Sequence, residues 1–240
     1  MRLKVLLVWL LLTVVAAAMA SRCAANESGW LLNQKSRITG ECKLYISASG
    51  IKIVYEKQGY CFVSSAPDWQ AVIYSDKNKI FYRTTLEDHA AQMTRGMKIG
   101  GNNDIDAALW KKAEPCMLNG YKTTRYVYRA KKIDAEIDWA ECWSSDEIQV
   151  AKPLAQYISQ VNHTPCNGHL SIRFIEHYRG DIKKKAPRIS TTNVEKITIP
   201  VGCYSWPKNY RQAASYMQVV MGEAGAEVLD DMYKSMDKYK

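Results

Sequence analysis

The 240-residue sequence lacks the short motifs of the common hydrolytic and nucleotide-driven machineries. It has no GxSxG elbow, no HExxH helix and no phosphate-cradling P-loop. That excludes the serine hydrolases, zinc proteases and P-loop NTPases that carry those signatures. Histidine is scarce, with four in all. Cys166 and His169 form a CxxH pair, half of a tetrahedral zinc site, but no matching second pair follows. Neither internal repeats nor low-complexity tracts occur. Beyond the first twenty residues, no run is apolar enough to span a bilayer. No metal, cofactor or catalytic residue is expected.

What is present begins with a leader. Arg2 and Lys4 precede an apolar stretch from Val5 to Val15, and Ala18 and Ala20 occupy the small-residue positions of a cleavage site. The expectation is a signal peptide over 1–20 and an exported protein, periplasmic or extracellular, with no transmembrane segment in the mature chain. The formal charge is +9, or +7 once Arg2 and Lys4 leave with the leader. Such a surplus favours anionic partners. The densest basic cluster, Lys183, Lys184, Lys185 and Arg188, is the candidate surface for one. Nucleic acid is not expected for an exported chain, although "YKTTRYVYR" interleaves aromatics with basic residues.

Seven cysteines in an exported chain suggest up to three disulfides. Cys23 is the odd one out. The candidates are Cys42, Cys61, Cys116, Cys142, Cys166 and Cys203, with Cys116–Cys142 and Cys166–Cys203 the guessed pairs, each linking neighbouring elements.

Period-two alternation dominates the middle of the chain. Ile51, Ile53 and Tyr55 share one strand face, and Trp69, Ala71 and Ile73 another. "IFYRTT" returns antiparallel after a "DKNK" turn. Thr85 with Asp88 reads as a helix start for Leu86 to Thr94, and Asp104 to Lys112 as a further helical turn. "YKTTRYVYR" is a strand. In "IDAEIDWAECW", Ile133, Ala135, Ile137 and Trp139 fall on one face, opposite Asp134, Glu136 and Asp138. Ser145 and Asp146 mark a helix start, and Leu154, Tyr157, Ile158 and Val161 form one helical stripe. Leu170, Ile172 and Phe174 line another strand. Residues 189–199 form a last strand, and helix follows from about Tyr210, broken at Gly222 and Gly225. The result is mainly antiparallel β with helices, an α+β chain. Its strands offer more one-sided apolar faces than three short helices can cover, so the sheet should curl on itself with helices over the opening.

The stretch "YISASGIKIVYEKQGYCFVSSAPDWQAVIYSDKNKIFYRTT" carries a strand rhythm around a central "APDW". "ISTTNVEKITIPVGCY" ends in a Pro-Val-Gly-x-Tyr corner. Together they resemble the LolA-like superfamily of periplasmic lipoprotein carriers and their relatives, over roughly residues 43–205. The seven cysteines and the C-terminal helical tail depart from the simple carrier pattern. The resemblance implies a strongly curved open sheet, an incomplete β-barrel with a helical lid, whose concave face holds a lipid or a lipoprotein acyl chain. It divides the chain into a leader (1–20), an N-terminal segment (21–42), the half-barrel (43–205) and a C-terminal helical tail (206–240). The cavity candidates on the apolar strand faces are Trp69, Ile73, Ile137, Trp139, Ile172 and Phe174. The expected function is a non-enzymatic carrier or binding protein. Two alternatives are an interaction protein whose barrel is filled by its own side chains and a secreted enzyme of no recognisable motif.

Overall fold

The structure, a computed structural model, describes residues 27–37, 39–99, 105, 109–131, 136–180 and 185–237. The leader, Cys23, Ile133, Ala135, Lys183 and Lys184 lie outside the described residues.

Six strands come first: β1 (Ser28–Ser36), β2 (Gly40–Ile46), β3 (Gly50–Tyr55), β4 (Tyr60–Ser65), β5 (Gln70–Ser75) and β6 (Ile80–Thr85). Helix α1 (Leu86–Ile99) leads to β7 (Lys111–Leu118), β8 (Tyr121–Arg129) and β9 (Ile137–Gln149). Helix α2 (Lys152–Asn162), β10 (His169–Tyr178), β11 (Lys185–Thr198), the two-residue β12 (Arg211–Gln212) and helix α3 (Tyr216–Asp237) complete the described chain. All twelve strands form one sheet in the order β12-β6-β5-β4-β3-β2-β1-β11-β10-β9-β8-β7. It is open, curved and antiparallel except where β12 lies parallel to β6.

The sheet is two meanders, β1–β6 and β7–β11, joined where β1 pairs antiparallel with β11. Two features follow. The sheet starts at Ser28, inside the segment expected to precede the half-barrel. And α1 must carry the chain from β6, near one edge, to β7, at the other. Strands sit about 4.8 Å apart, so a flat sheet would hold β5 and β10 roughly 29 Å from each other. Yet Ala71 and Ile73 of β5 share one buried cluster with Leu170 and Ile172 of β10, together with residues of all three helices. Curvature makes this possible, and the helices lie on the concave face.

Local chemistry explains the helices. Thr85 Oγ1 accepts the Asp88 amide at 3.0 Å and donates to the Asp88 carboxylate at 2.8 Å, which caps α1. Helix α2 begins with Pro153 in its first turn and buries Leu154, Ala155, Tyr157, Ser159 and Val161. Helix α3 is interrupted at Gly222, whose φ of 81° suits glycine. Gly225 continues the helix. The Pro200–Tyr204 corner turns the chain onto the convex face. There Tyr204 lies against Gly50, where a Cβ would come within 2.8 Å of its ring, and its hydroxyl donates to Ser47 Oγ at 2.8 Å.

Several expectations change. The segment up to Lys112 was expected to be helical, but β7 begins at Lys111. The helix start at Ser145 is instead a bulge inside β9. Ser144 pairs with Ser171 and Gln149 with His169, so four residues of β9 bow out between those pairs. Ser145 Oγ accepts the amides of Glu147 and Ile148, each at 3.3 Å. The cap chemistry is real, but the neighbouring strand takes the chain before a helix can propagate.

The alternation of Ile137 and Trp139 also breaks. Trp139 pairs with His177 and Ile137 with Tyr178, so β9 holds one extra residue here. One residue of slip sends side chains to opposite faces. Ile137 is buried on the inner face with Tyr128, Ala140, Phe174 and Ile189. Trp139 lies on the outer face, its ring stacked 3.6 Å from that of His177.

The six described cysteines are free thiols. Cys116 is on β7 and Cys142 on β9, with β8 between them, roughly 10 Å apart by strand spacing. A disulfide needs Cα atoms within about 7 Å, so that pair is not bridged. Cys42 packs on the concave cluster and Cys61 on the convex one, on opposite sides of the sheet. Burial pushes the thiols of Cys42 and Cys142 up to about 12, which keeps both protonated and poor nucleophiles at neutral pH.

Candidate functional site

The concave cluster does not fill its own volume. Between β3–β5 and the three helices lies a cavity of about 310 Å³. Ile53, Phe62 and Ile73 form its floor, and Met93 of α1, Ile158 and Val161 of α2, and Met217 and Val220 of α3 close over it. Thr39, Gln58 and Asn162 are its polar residues other than tyrosine and histidine, and Gln58 Nε2 donates to the Thr39 carbonyl at 2.9 Å.

Aromatic rings make the inner wall. Tyr55 and Tyr60 lie 4.5 Å apart between centroids. Phe62 stacks on Tyr157 at 5.2 Å with the planes 3° apart. His89, 4 % exposed, sits among them: 5.6 Å from Phe62, 5.7 Å from Tyr157 and edge-on to Tyr216 at 5.5 Å. Its Nδ1 shares a 2.8 Å hydrogen bond with the Tyr157 hydroxyl. Burial lowers the His89 pKa from its ordinary 6.5 to about 4, and raises that of Tyr157 far above its usual range. Both are therefore neutral at physiological pH.

That shift has a measurable consequence. Between pH 6.5 and about 4 the unfolded chain binds a proton that folded His89 does not, so stability should fall as pH falls through this window and level off below it. The loss attributable to this group is on the order of 3 kcal/mol. Urea denaturation from pH 7 to pH 4 should show this slope, reduced in His89→Leu. Equal slopes in the two proteins would assign it to other groups.

Of the residues the sequence nominated for the cavity, Ile73 lines it. Trp69 borders a neighbouring groove with Leu86, Pro153 and Gln160, separated from the cavity by Tyr157. Ile172 is 3 % exposed in the core beside it. Phe174 and Ile137 belong to a second cluster, which Ile105, Leu109 and Trp110 cover. Trp110 packs edge-on to Phe174 at 5.5 Å and donates its indole N–H to the His163 carbonyl at 2.9 Å. That half of the sheet is packed, and the open volume lies over β3–β5. His89 was not among the residues the sequence nominated for the cavity. The signal for its true place was Leu86, Ala90 and Met93, whose helical spacing puts His89 on the inner face of α1.

The basic candidate surface is also corrected. Lys185 is exposed, but Arg188 is 2 % exposed and turned inward. It bonds Glu176 at 2.9 Å, and Glu176, itself fully buried, also bonds Arg37 at 2.6 Å. Arg188 serves this internal ion pair because a buried carboxylate requires a counter-charge. Among the described residues, no group of three or more histidines, cysteines and carboxylates could hold a metal ion. No described helix is long and apolar enough to cross a membrane.

No family model matches the chain, and no curated protein matches its sequence. Among solved structures it is similar to a domain from Vibrio parahaemolyticus assigned to outer membrane lipoprotein sorting. The identity is 7 %, the TM-score 0.25, and the match covers 81 % of this chain and 93 % of that one.

Proposed function

We propose that this protein is a non-enzymatic carrier or binding protein that holds an apolar ligand, a lipid or acyl chain, between the sheet and its helices. The supporting observation is the unfilled 310 Å³. The cavity is partly open to solvent, and its apolar side chains meet water there instead of packing against one another. An apolar cavity with a few convergent polar groups is the usual form of a small-molecule site. The three helices that cover it fit the role of a lid, and the break at Gly222 in α3 offers a place for that lid to bend. The leader read from residues 1–20 supports a carrier that works outside the cytoplasm.

The neutral dye N-phenylnaphthylamine should bind the wild-type protein with enhanced fluorescence. Met217→Trp, which places an indole in the cavity from the α3 side, should weaken binding roughly tenfold or more while the fold persists. Mass spectrometry of gently purified protein should find a small apolar molecule that the variant lacks. Wild-type protein that never binds the dye would sink the carrier reading.

A further inference from the structure

The cavity is selective in what it omits. The chain carries 33 lysines and arginines and 24 acids, yet none of the sixteen residues lining the cavity is among them. An ionised group entering it would lose its hydration and find no counter-ion, a cost of several kcal/mol. Its one titratable base, His89, is held neutral. Whatever part of a ligand goes inside must be uncharged.

The walls also hold an unfinished hydrogen-bond chain. A neutral imidazole has one donor nitrogen and one acceptor nitrogen. Nδ1 of His89 is engaged by the Tyr157 hydroxyl. Nε2 has no hydrogen-bonding partner among the described residues, although the ring is 4 % exposed and lines the cavity. Phe62, Tyr157 and Tyr216 fix the ring's position from three sides. The Tyr157 hydroxyl can donate or accept, so the pair can present either tautomer, with Nε2 as donor or as acceptor. A ligand hydroxyl suits both states, and a carbonyl suits the first. Nε2 is not among the fully buried unpaired atoms of the described residues, so it is open to the cavity, and a ligand atom that takes the place of water there keeps the hydrogen bond while its apolar body fills the rest.

We propose that the cavity selects an uncharged amphiphile, an apolar body bearing one hydroxyl or carbonyl, and that His89 Nε2 is the atom that hydrogen-bonds it. This rests on the carrier reading and adds the ligand's chemical class. His89 acts here as a specificity-determining residue, and the surrounding aromatic faces supply the bulk of the contact.

The test is displacement of N-phenylnaphthylamine at pH 8 by four ligands of one chain length: decane, decanol, decanoate and decyltrimethylammonium. Decanol should compete roughly tenfold better than decane, the worth of one hydrogen bond made away from bulk water. It should outcompete both ions by roughly a hundredfold or more. In His89→Leu the ratio of decanol to decane competition should fall to about one, whatever that variant's affinity for the dye. In His89→Gln, whose amide keeps a polar end, part of the advantage should remain. In ¹⁵N-histidine NMR spectra of the wild type, decanol and not decane should shift the Nε2 resonance of His89, a readout that requires no variant. Equal competition by decanol and decanoate would overturn the proposal, since the head group would then stay in water. So would a decanol preference that survives in His89→Leu. Dye binding without any head-group preference would leave the carrier reading standing and this inference refuted. Absence of dye binding in the wild type would refute both.

Discussion

Glu176→Leu should destabilise the protein by about 3–5 kcal/mol, the usual cost of removing one member of a buried ion pair. Glu176 is fully buried, and its two carboxylate oxygens are divided between Arg188, 2 % exposed, and Arg37, about one-third exposed. The Tyr178 hydroxyl donates to the same carboxylate at 3.1 Å and also bonds Arg37. Removal of the carboxylate frees Arg37 to reach water. Arg188 has no such route, because its guanidinium lies over the Phe174 ring inside the second core. Burial already pushes the Arg188 pKa below its ordinary value, against the pull of Glu176. The double variant Glu176→Leu with Arg188→Met should recover most of the loss, since an apolar pair of similar volume removes both desolvation penalties. Chemical denaturation of the three proteins measures this directly. A loss below about 1 kcal/mol in the single variant would mean that the charges are solvated.

Ile137→Asp should be at least as damaging, with a loss of about 4–5 kcal/mol or failure to fold at neutral pH. Ile137 is 1 % exposed and packs against Tyr128, Ala140, Phe174 and Ile189, and the cation over Phe174, Arg188, is already engaged by Glu176. Trp139→Asp, two residues along the same strand, should cost less than about 2 kcal/mol, chiefly the loss of its stacking on His177. The contrast tests the bulge between them, because regular alternation would make the two substitutions comparable. Ile137→Val, a milder change, should leave dye binding unaltered, since Ile137 does not line the cavity. A clear loss of binding in that variant would join the two clusters into one site.

These two predictions rest on different kinds of information. The identity of Ile137 as a core residue was readable from its strand. The company it keeps was not. Alternation tells which side chains share a face only while the strand stays regular, and the extra residue in β9 is set by its pairing with β10, more than thirty positions away. The same holds for Arg188. Within its own segment it is one more cation in "KKKAPR". Only the antiparallel pairing of β10 with β11 brings Glu176 beside it.

The sequence by itself determined the antiparallel strands, the curled sheet with helices on one side, the cap at Thr85, the buried stripe of α2 and the break at Gly222. The curl follows from the excess of one-sided apolar strand faces over the helices that could cover them, and each of the others depends on neighbours within a few residues: a period of two, a period of 3.6, a hydroxyl three residues from an amide, a glycine where φ is positive. Tertiary structure alone decided which part of the concave face stays open and which is filled. Trp110 closes the side of Phe174, while over Ile73 the helices stand off and leave space. It also decided the one polar feature inside. His89 and Tyr157 are 68 residues apart, on two helices that meet only because the sheet beneath them curves. Local periodicity reports which residues avoid water. It carries no record of how far apart two apolar faces come to rest, and that distance is what separates a packed core from a cavity.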